Sequence, residues 1–426
     1  MPLVEPLLIL FFTSSLVVMR INALKGRSLG DPVFFLLFSC YLYGTCGYWG
    51  HQLLTINAKF LTLGFSEQAF AISYRLTAAA LLMIYIGGAI TDPSRIPQPI
   101  KSNANLAKVA FFFSAISVVL AVDFFIASGA FRGVSHADIL SNKKQPNSVP
   151  YMLLLAPAFS ILCLKINNKQ RWLVSTIVLP FLIVNFMSGS RRHVLSLLII
   201  ITAASILRGW KFKWKHFILI SGCFILLGLF VGATRGNTTP EMLFSDPTIF
   251  WKRIQFGLTE FTRPYTALLY YIDTTDTRPI LLGSTFTDSL SYLIPSVVRT
   301  YDLPVRASSA FAQDLSIILD FHRTIGHGFY PIAEAIINFP IVFSPFIFLI
   351  LSTITGILTK YFHNSRQSFM IPVLCVINFT VGRGGFQSIA YFFTYTLLIG
   401  TIILLTYSVL QNGQKKSQLE NARNNI

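Results

Sequence analysis

Two short segments of this sequence combine residue types that could bind an anion and move a proton. The first, Ser188–His193, is a glycine- and serine-containing turn with Arg191, Arg192 and His193 at its end. The second, residues 325–339, holds His327 between two glycines and Glu334 at a predicted helix start, with Asn338 one turn along the same face. Arginine binds phosphate oxygens through a planar fork and keeps its charge, and histidine or a carboxylate can accept a proton. These residue types suit a phosphate clamp next to a proton-transfer group.

Four further arginines fall on the same side of the chain's apolar runs. Arg235 follows Gly232-Ala233-Thr234, Arg299 and Arg306 flank Pro304, and Arg383 lies among glycines that let backbone approach a ligand closely. Connections on this side hold eleven arginines and four lysines, whereas those on the other side hold seven and eleven. The bias favours anion binding on the arginine-rich side.

Each of these residues also has a structural interpretation. Arg191 and Arg192 could snorkel or contact lipid headgroups, and Arg235 could anchor a helix end. Arg383 could sit in an exposed turn, and His327 could be an ordinary loop residue. Glu334 could be a helix-start acid favoured by the helix dipole. The sequence leaves both sets of roles open.

Metal and cofactor chemistry find no support in the sequence. The five cysteines all lie in apolar runs, and the seven histidines are scattered without metal-ligand spacing. We therefore predict a site without a metal and a protein without a cofactor.

Apolar runs of membrane length flank these residues and would hold them in place. The chain is 53% hydrophobic and 12% charged, with a mean hydropathy of +0.62, whereas soluble domains carry about 25% charged residues. We predict an all-α polytopic membrane protein with about eleven (10–12) transmembrane helices. The runs are Leu3–Met19, Val33–Gly50, Phe70–Ile90, Val109–Ser128, Tyr151–Leu164, Trp172–Ser188, Val194–Leu207, Phe217–Thr234, Ile336–Leu358, Phe369–Val381 and Ile389–Leu410.

Lysine and arginine cluster in every second connection, which is the positive-inside pattern. This pattern accounts for the net charge of +17 and argues against a nucleic-acid partner. It predicts an external N-terminus, a cytoplasmic C-terminus and one large outer loop. The predicted regions are N-terminal transmembrane helices (1–234), the loop (235–335), C-terminal transmembrane helices (336–410) and a cytoplasmic tail (411–426).

The large loop has helical patterns of its own. Thr248–Phe261 and Ser308–Phe321 carry apolar residues at helical spacing and predict amphipathic helices. The apolar stretch Pro279–Val298 contains polar residues, and we interpret it as partly embedded or re-entrant rather than spanning.

The order of several motifs resembles the Wzy-type O-antigen and oligosaccharide repeat-unit polymerases, which are related to the O-antigen ligases. The motifs are Gly-Ser-Arg-Arg at 189–192, Gly-Ala-Thr-Arg-Gly at 232–236, Gly-Ser-Thr at 283–285, Tyr-Leu-Ile-Pro at 292–295 and Gly-His-Gly-Phe-Tyr-Pro-Ile-Ala-Glu-Ala-Ile-Ile-Asn-Phe at 326–339. The external N-terminus departs from the family's usual pattern.

The resemblance implies a bacterial inner-membrane glycosyltransferase whose large loop and active face are periplasmic. It would join oligosaccharide repeat units linked to undecaprenyl diphosphate, in O-antigen or similar polysaccharide biosynthesis, without a metal. His327 or Glu334 would take the acceptor's proton, and Arg191, Arg192, Arg235, Arg299, Arg306 and Arg383 would bind the diphosphate. Membrane lipids, a chain-length regulator and a flippase of the same pathway are candidate partners. An O-antigen ligase-like transferase and a non-enzymatic flippase or transporter are the alternatives.

Overall fold

The computed structural model describes residues 4–25, 27–53, 64–91, 99–127, 149–187, 191–209, 248, 262–291, 310–311, 313–314 and 328–424. The described part is helical, and an isolated parallel bridge between Phe329 and Gly384 is the extended pairing found in it. The helices are α1 (Val4–Ala23), α2 (Pro32–Leu53), α3 (Glu67–Ile90), α4 (Ala104–Ala127), α5 (Val149–Lys165), α6 (Trp172–Met187), α7 (Arg191–Leu207), α8 (residues 262–273), α9 (Ser284–Ser291), α10 (Pro331–Asn338), α11 (Phe346–Asn364), α12 (Met370–Gly384) and α13 (Gln387–Asn424).

Helix length and apolarity confirm an all-helical membrane protein. Five described helical segments are long and apolar enough to cross a bilayer: Val4–Ala23, Glu67–Ile90, Ala104–Asp123, Phe346–Asn364 and Phe392–Gln414. Four more apolar helices are shorter: Leu154–Lys165, Trp172–Leu182, His193–Leu207 and Met370–Gly384. The predicted run Phe217–Thr234 lies outside the described residues, so eleven spans and the outer position of the loop stay predictions.

Two local predictions were wrong. The run Ile336–Leu358 is two helices, because α10 ends at Asn338 and α11 begins only at Phe346. Pro340 and Pro345 lie between them, and the residue before a proline is driven out of the helical region. The last three residues of the predicted turn Ser188–His193 are helical instead, since α7 already begins at Arg191.

The described parts of the large loop are consistent with its predicted helical character. Residues 248, 310–311 and 313–314 are helical, while the rest of the two predicted amphipathic helices lies outside the described residues. Within Pro279–Val298 the structure forms the short helix α9. Neither α9 nor α10 is long enough to span a bilayer, because a span needs about 20 residues.

The chain divides into two compact units, and the first contains Met1–Pro97, Lys211–Tyr361 and Leu374–Phe393. In this unit α8 runs antiparallel to α3. The Ser66 hydroxyl donates to Asp273 (2.6 Å) at one end, and the Tyr265 hydroxyl donates to Ser73 (2.8 Å) further along. Ser66 and Ser73 are seven positions apart, which is about 10 Å along a helix. The beginning of α8 therefore lies about 10 Å along α3 from the beginning of α3.

The second unit contains Gln98–Trp210, Phe362–Val373 and Thr394–Ile426. Hydrogen bonds between helix ends hold it together. The backbone N–H of Asn103 donates to the Lys165 carbonyl (2.8 Å), and the Asn103 amide donates to the Tyr407 hydroxyl (3.0 Å). The buried Ser160 hydroxyl donates to the carbonyl of Phe369 (2.6 Å). None of the residues that form the candidate site described below belongs to this unit.

Candidate active site

The structure describes the side chains of two of the eight predicted site residues, Glu334 and Arg383. Arg191 and Arg192 begin α7, and only their backbone is described. The remaining four, His327, Arg235, Arg299 and Arg306, lie outside the described residues. The site is therefore built from Glu334 and Arg383 and from the elements that hold them.

Glu334 lies in α10 and is 1% exposed. Helix α10 starts with Pro331, whose fixed φ suits the first helical position and whose missing N–H costs nothing there. The Thr285 hydroxyl, from the first turn of α9, donates to Glu334 Oε1 (3.1 Å). The backbone N–H of Phe386 donates to Glu334 Oε2 (2.6 Å). Both carboxylate oxygens thus have a neutral donor.

Asn338 completes this network. Its side-chain amide donates to the Thr285 hydroxyl (2.6 Å) and to the carbonyl of Glu334 (2.7 Å), one helical turn earlier. Its side-chain oxygen accepts the backbone N–H of Thr285 (3.3 Å). Thr285 and Asn338 are both buried. We call Glu334, Thr285 and Asn338 the carboxylate network; it joins α9 to α10.

The Glu334 carboxylate contacts a glycine-containing turn between α12 and α13. Gly385 has a φ of +69°, and a Cβ at this position would run into Glu334 Oε2. The next residue, Phe386, supplies the N–H that the carboxylate accepts. Glycine is required here both for the left-handed backbone and for the close approach of the carboxylate. We call Gly384–Phe386 the glycine turn.

Arg383 lies immediately before the glycine turn and is half-buried. Its carbonyl accepts the backbone N–H of Phe329 (2.6 Å). Gly328, with a φ of +78°, lies so close to Pro264 and the Arg383 side chain that a Cβ would not fit without a shift. Tyr330 N–H in turn donates to the Pro264 carbonyl (3.3 Å). The segment 328–330 is therefore fixed between α8 and the end of α12.

Burial in this network changes the acidity of Glu334. Desolvation raises its pKa from 4.5 to about 7, while the hydrogen bonds from Phe386 and Thr285 oppose the shift by stabilising the ionised form. A carboxyl group with this pKa is partly protonated at neutral pH. Such a group can take up or release a proton under working conditions.

Sequence reasoning identified Glu334 and Asn338 as neighbours on one face, and the structure confirms that pairing. It missed the contact of Thr285 with Glu334, for which the Gly283-Ser284-Thr285 motif was the only signal. It also missed the role of the Phe386 N–H, because a backbone donor leaves no mark in residue type. A half-exposed cluster around Arg278 and Tyr270 was missed as well, although two adjacent tyrosines in the loop were visible.

The site contains a carboxylate of raised pKa held at the glycine turn and an arginine at the residue before that turn. These two groups can act as a proton acceptor and as a phosphate-binding cation. The described residues contain no group of three or more His, Cys, Asp or Glu side chains that could hold a metal ion. Metal independence itself stays a prediction.

Fold and site define a multi-pass, all-helical membrane protein with a buried carboxylate close to an arginine. The model of one family, the O-antigen polysaccharide polymerase Wzy, matches residues 8–415. The chain therefore belongs to the Wzy family, and the resemblance inferred from the motifs is confirmed. Comparisons with curated proteins and with solved structures return no match.

Proposed function

We propose that this Wzy-family protein polymerises oligosaccharide repeat units linked to undecaprenyl diphosphate, by glycosyl transfer on the periplasmic face of the bacterial inner membrane. The observation that carries the proposal is the family match over residues 8–415. Glu334, held at the glycine turn, and Arg383, the residue before that turn, give the proposed role a chemical basis in this chain.

The reaction exchanges one bond at the anomeric carbon for another. The bond to the donor's diphosphate oxygen breaks, a bond to an acceptor hydroxyl oxygen forms, and the hydroxyl proton leaves with a base. Negative charge grows on the departing lipid diphosphate, and arginine stabilises such charge without proton exchange. We assign this role to Arg383, with Arg191, Arg192, Arg235, Arg299 and Arg306 as further candidates.

Glu334 and His327 are the proposed bases. The pKa of Glu334, raised by burial to about 7, lies near neutral pH, as is optimal for a general base. Its position also sets a condition, because Thr285 already donates to one carboxylate oxygen. For Glu334 to act as the base, the acceptor hydroxyl must replace Thr285 at Oε1 while Phe386 keeps Oε2 in place.

A comparison of Glu334→Gln with Glu334→Ala tests the role of this carboxylate. Glutamine keeps an oxygen for the Phe386 N–H but cannot take a proton, so a catalytic base predicts that both variants lose polymer, by about a hundredfold or more. A group that only positions the glycine turn predicts that Gln retains most activity and Ala does not. Polymer per folded protein is the readout. An active Gln variant would leave His327 as the proposed base.

The periplasmic position of the loop rests on the alternation of basic connections. A reporter that is active only in the cytoplasm, fused near Thr275, should be inactive. The same reporter fused after Asn424 should be active, and this fusion controls for expression. An active fusion near Thr275 would overturn the topology and the proposed face of reaction.

The glycan profile of a deletion strain tests the function itself. Loss of a polymerase should leave single lipid-linked repeat units, or lipid core capped with one unit. Polymer retained on its lipid carrier would indicate a ligase instead, and repeat units held on the cytoplasmic face would indicate a flippase.

Addition of EDTA to the purified protein should leave polymerisation intact. Recovery of a lost activity by magnesium or manganese would contradict metal independence.

A further inference from the structure

A half-exposed ion pair rests on tyrosine rings near the end of α8. Arg278 Nη2 lies 3.0 Å from Asp314 Oδ2, and the two side chains are 36% and 35% exposed. The same nitrogen donates to the Tyr270 hydroxyl (2.6 Å). The guanidinium carbon lies 4.9 Å from the centre of the Tyr270 ring and 5.1 Å from that of Tyr271. We call these four residues the Arg278 platform.

Aromatic rings connect the platform to the candidate active site. The Tyr271 ring lies 6.0 Å from the ring of Phe329, and the buried Phe311 ring contacts both. Phe329 donates its backbone N–H to the carbonyl of Arg383. Packed aromatic rings and one backbone hydrogen bond therefore link the platform to the residue before the glycine turn, within the first unit.

Helix α8 sets the spacing between platform and site. Pro264, at its start, contacts the segment 328–330, while Tyr270 lies six residues further on, which is about 9 Å along the helix. The end of α8 at Asp273 lies beside Ser66, the residue before α3. The platform thus lies closer to the start of α3 than Pro264 and the segment 328–330 do, by about 9 Å along α8.

The chemistry of the platform matches that of a sugar. A sugar presents hydroxyl groups that donate and accept hydrogen bonds, so a binding surface needs donors and acceptors side by side. Arginine has only donors and a carboxylate only acceptors, and the platform exposes both next to the half-buried ring of Tyr270. Contact with two rings restrains the guanidinium before any ligand arrives. An exposed ion pair contributes little to stability, so stability alone does not account for this arrangement.

We propose that the Arg278 platform binds the hydroxyl groups of a sugar in the lipid-linked repeat unit while another part of the unit lies at the glycine turn. Arg278 donates to sugar oxygens and Asp314 accepts from sugar hydroxyls, with no covalent step. The proposal rests on the proposed function, and it adds a subsite for the glycan to the predicted sites for the diphosphate and the proton.

Kinetics with Arg278→Gln and Asp314→Asn test the subsite. The full chain is purified into lipid nanodiscs, and the probe is the lipid-linked repeat unit extracted from the deletion strain. Loss of a charged hydrogen-bond partner should raise KM by about tenfold or more, with a smaller change in kcat. The control is Arg75→Gln, which removes another partly exposed arginine–carboxylate pair, Arg75–Glu5 (2.6 Å). This control should leave KM within about twofold of wild type.

A charge-swapped double variant, Arg278→Asp with Asp314→Arg, separates binding from a structural ion pair. It keeps a pair but reverses donor and acceptor, so KM should stay raised. A wild-type KM in this variant, or in both single variants, would overturn the subsite. If the wild-type protein elongates the probe while the variants behave like wild type, only the subsite fails. If the wild-type protein does not elongate the probe, the proposed function fails and the subsite with it.

Discussion

The first unit holds two carboxylates in contrasting surroundings. Asp31, whose side chain is 12% exposed, accepts two hydrogen bonds from the Arg20 guanidinium (3.0 and 2.6 Å) and the backbone N–H groups of Val33 and Phe34 at the start of α2. Glu334 is more deeply buried, yet the donors described for it, a threonine hydroxyl and a backbone N–H, are both neutral. One carboxylate is matched by a full positive charge, and the other is held by dipoles.

The difference separates a group suited to structure from a group suited to chemistry. The guanidinium and the start of α2 hold Asp31 by charge-assisted and backbone hydrogen bonds, and the pair ties α1 to α2. The buried Glu334 carboxyl group, whose described donors are neutral, can change its charge near neutral pH. Its donors can also be exchanged for a substrate hydroxyl.

The largest effect is expected from breaking the Arg20–Asp31 pair. The Arg20 side chain is 3% exposed and that of Asp31 is 12% exposed, so Arg20→Met leaves a largely enclosed carboxylate without its cation, which costs up to about 3–5 kcal/mol. We expect little folded protein in membranes and a strongly lowered Tm in detergent. The double variant Arg20→Met with Asp31→Asn removes both charges and keeps a capping side chain, so most of the stability should return. A wild-type Tm in the single variant would contradict the structural role.

A smaller loss of stability is expected for Glu334→Ala. The substitution removes the acceptor of the buried Phe386 N–H, and an orphaned buried donor costs about 1–3 kcal/mol. Glu334→Gln keeps the acceptor and is the matched control. Thermal unfolding in detergent measures both variants. Equal Tm values for Ala and Gln would show that the Phe386 hydrogen bond contributes nothing.

The pH dependence of stability tests the raised pKa of Glu334. Burial raises the pKa of Glu334 from 4.5 to about 7, so the folded state binds the proton more tightly than the unfolded state. The resulting stabilisation is fully present below pH 4.5 and is lost as pH rises through about 7, by about 1 kcal/mol between pH 6 and 8. Tm in that window should fall more for wild type than for Glu334→Gln. Parallel curves would contradict the raised pKa.

The helices and one contact of the carboxylate network could be predicted from the sequence, whereas two other contacts could not. Apolar runs predicted the helices because a membrane-length run has few other stable conformations. The pairing of Glu334 with Asn338 followed from helical spacing. The contact with Thr285 joins residues 49 positions apart, and the Phe386 N–H is a backbone group, so neither has a periodic signal. Both contacts result from packing between segments that are distant in the sequence. The same is true of the contact between Gly385 and the Glu334 carboxylate.

The smallest effect, and the most specific one, is expected for Thr285→Val. Valine replaces the hydroxyl by a methyl group of similar size, so it removes one donor to the ionised carboxylate and leaves the packing nearly unchanged. The Phe386 hydrogen bond remains and is the shorter one, at 2.6 Å against 3.1 Å. We therefore expect the midpoint of the pH-dependent loss of stability to move upward by about 0.5 pH unit, equivalent to about 0.7 kcal/mol. Thr285→Ser keeps the hydroxyl and should keep the midpoint. A downward shift in the valine variant would mean that Thr285 holds the protonated form of Glu334, and the carboxylate would then be poised to give a proton rather than to take one.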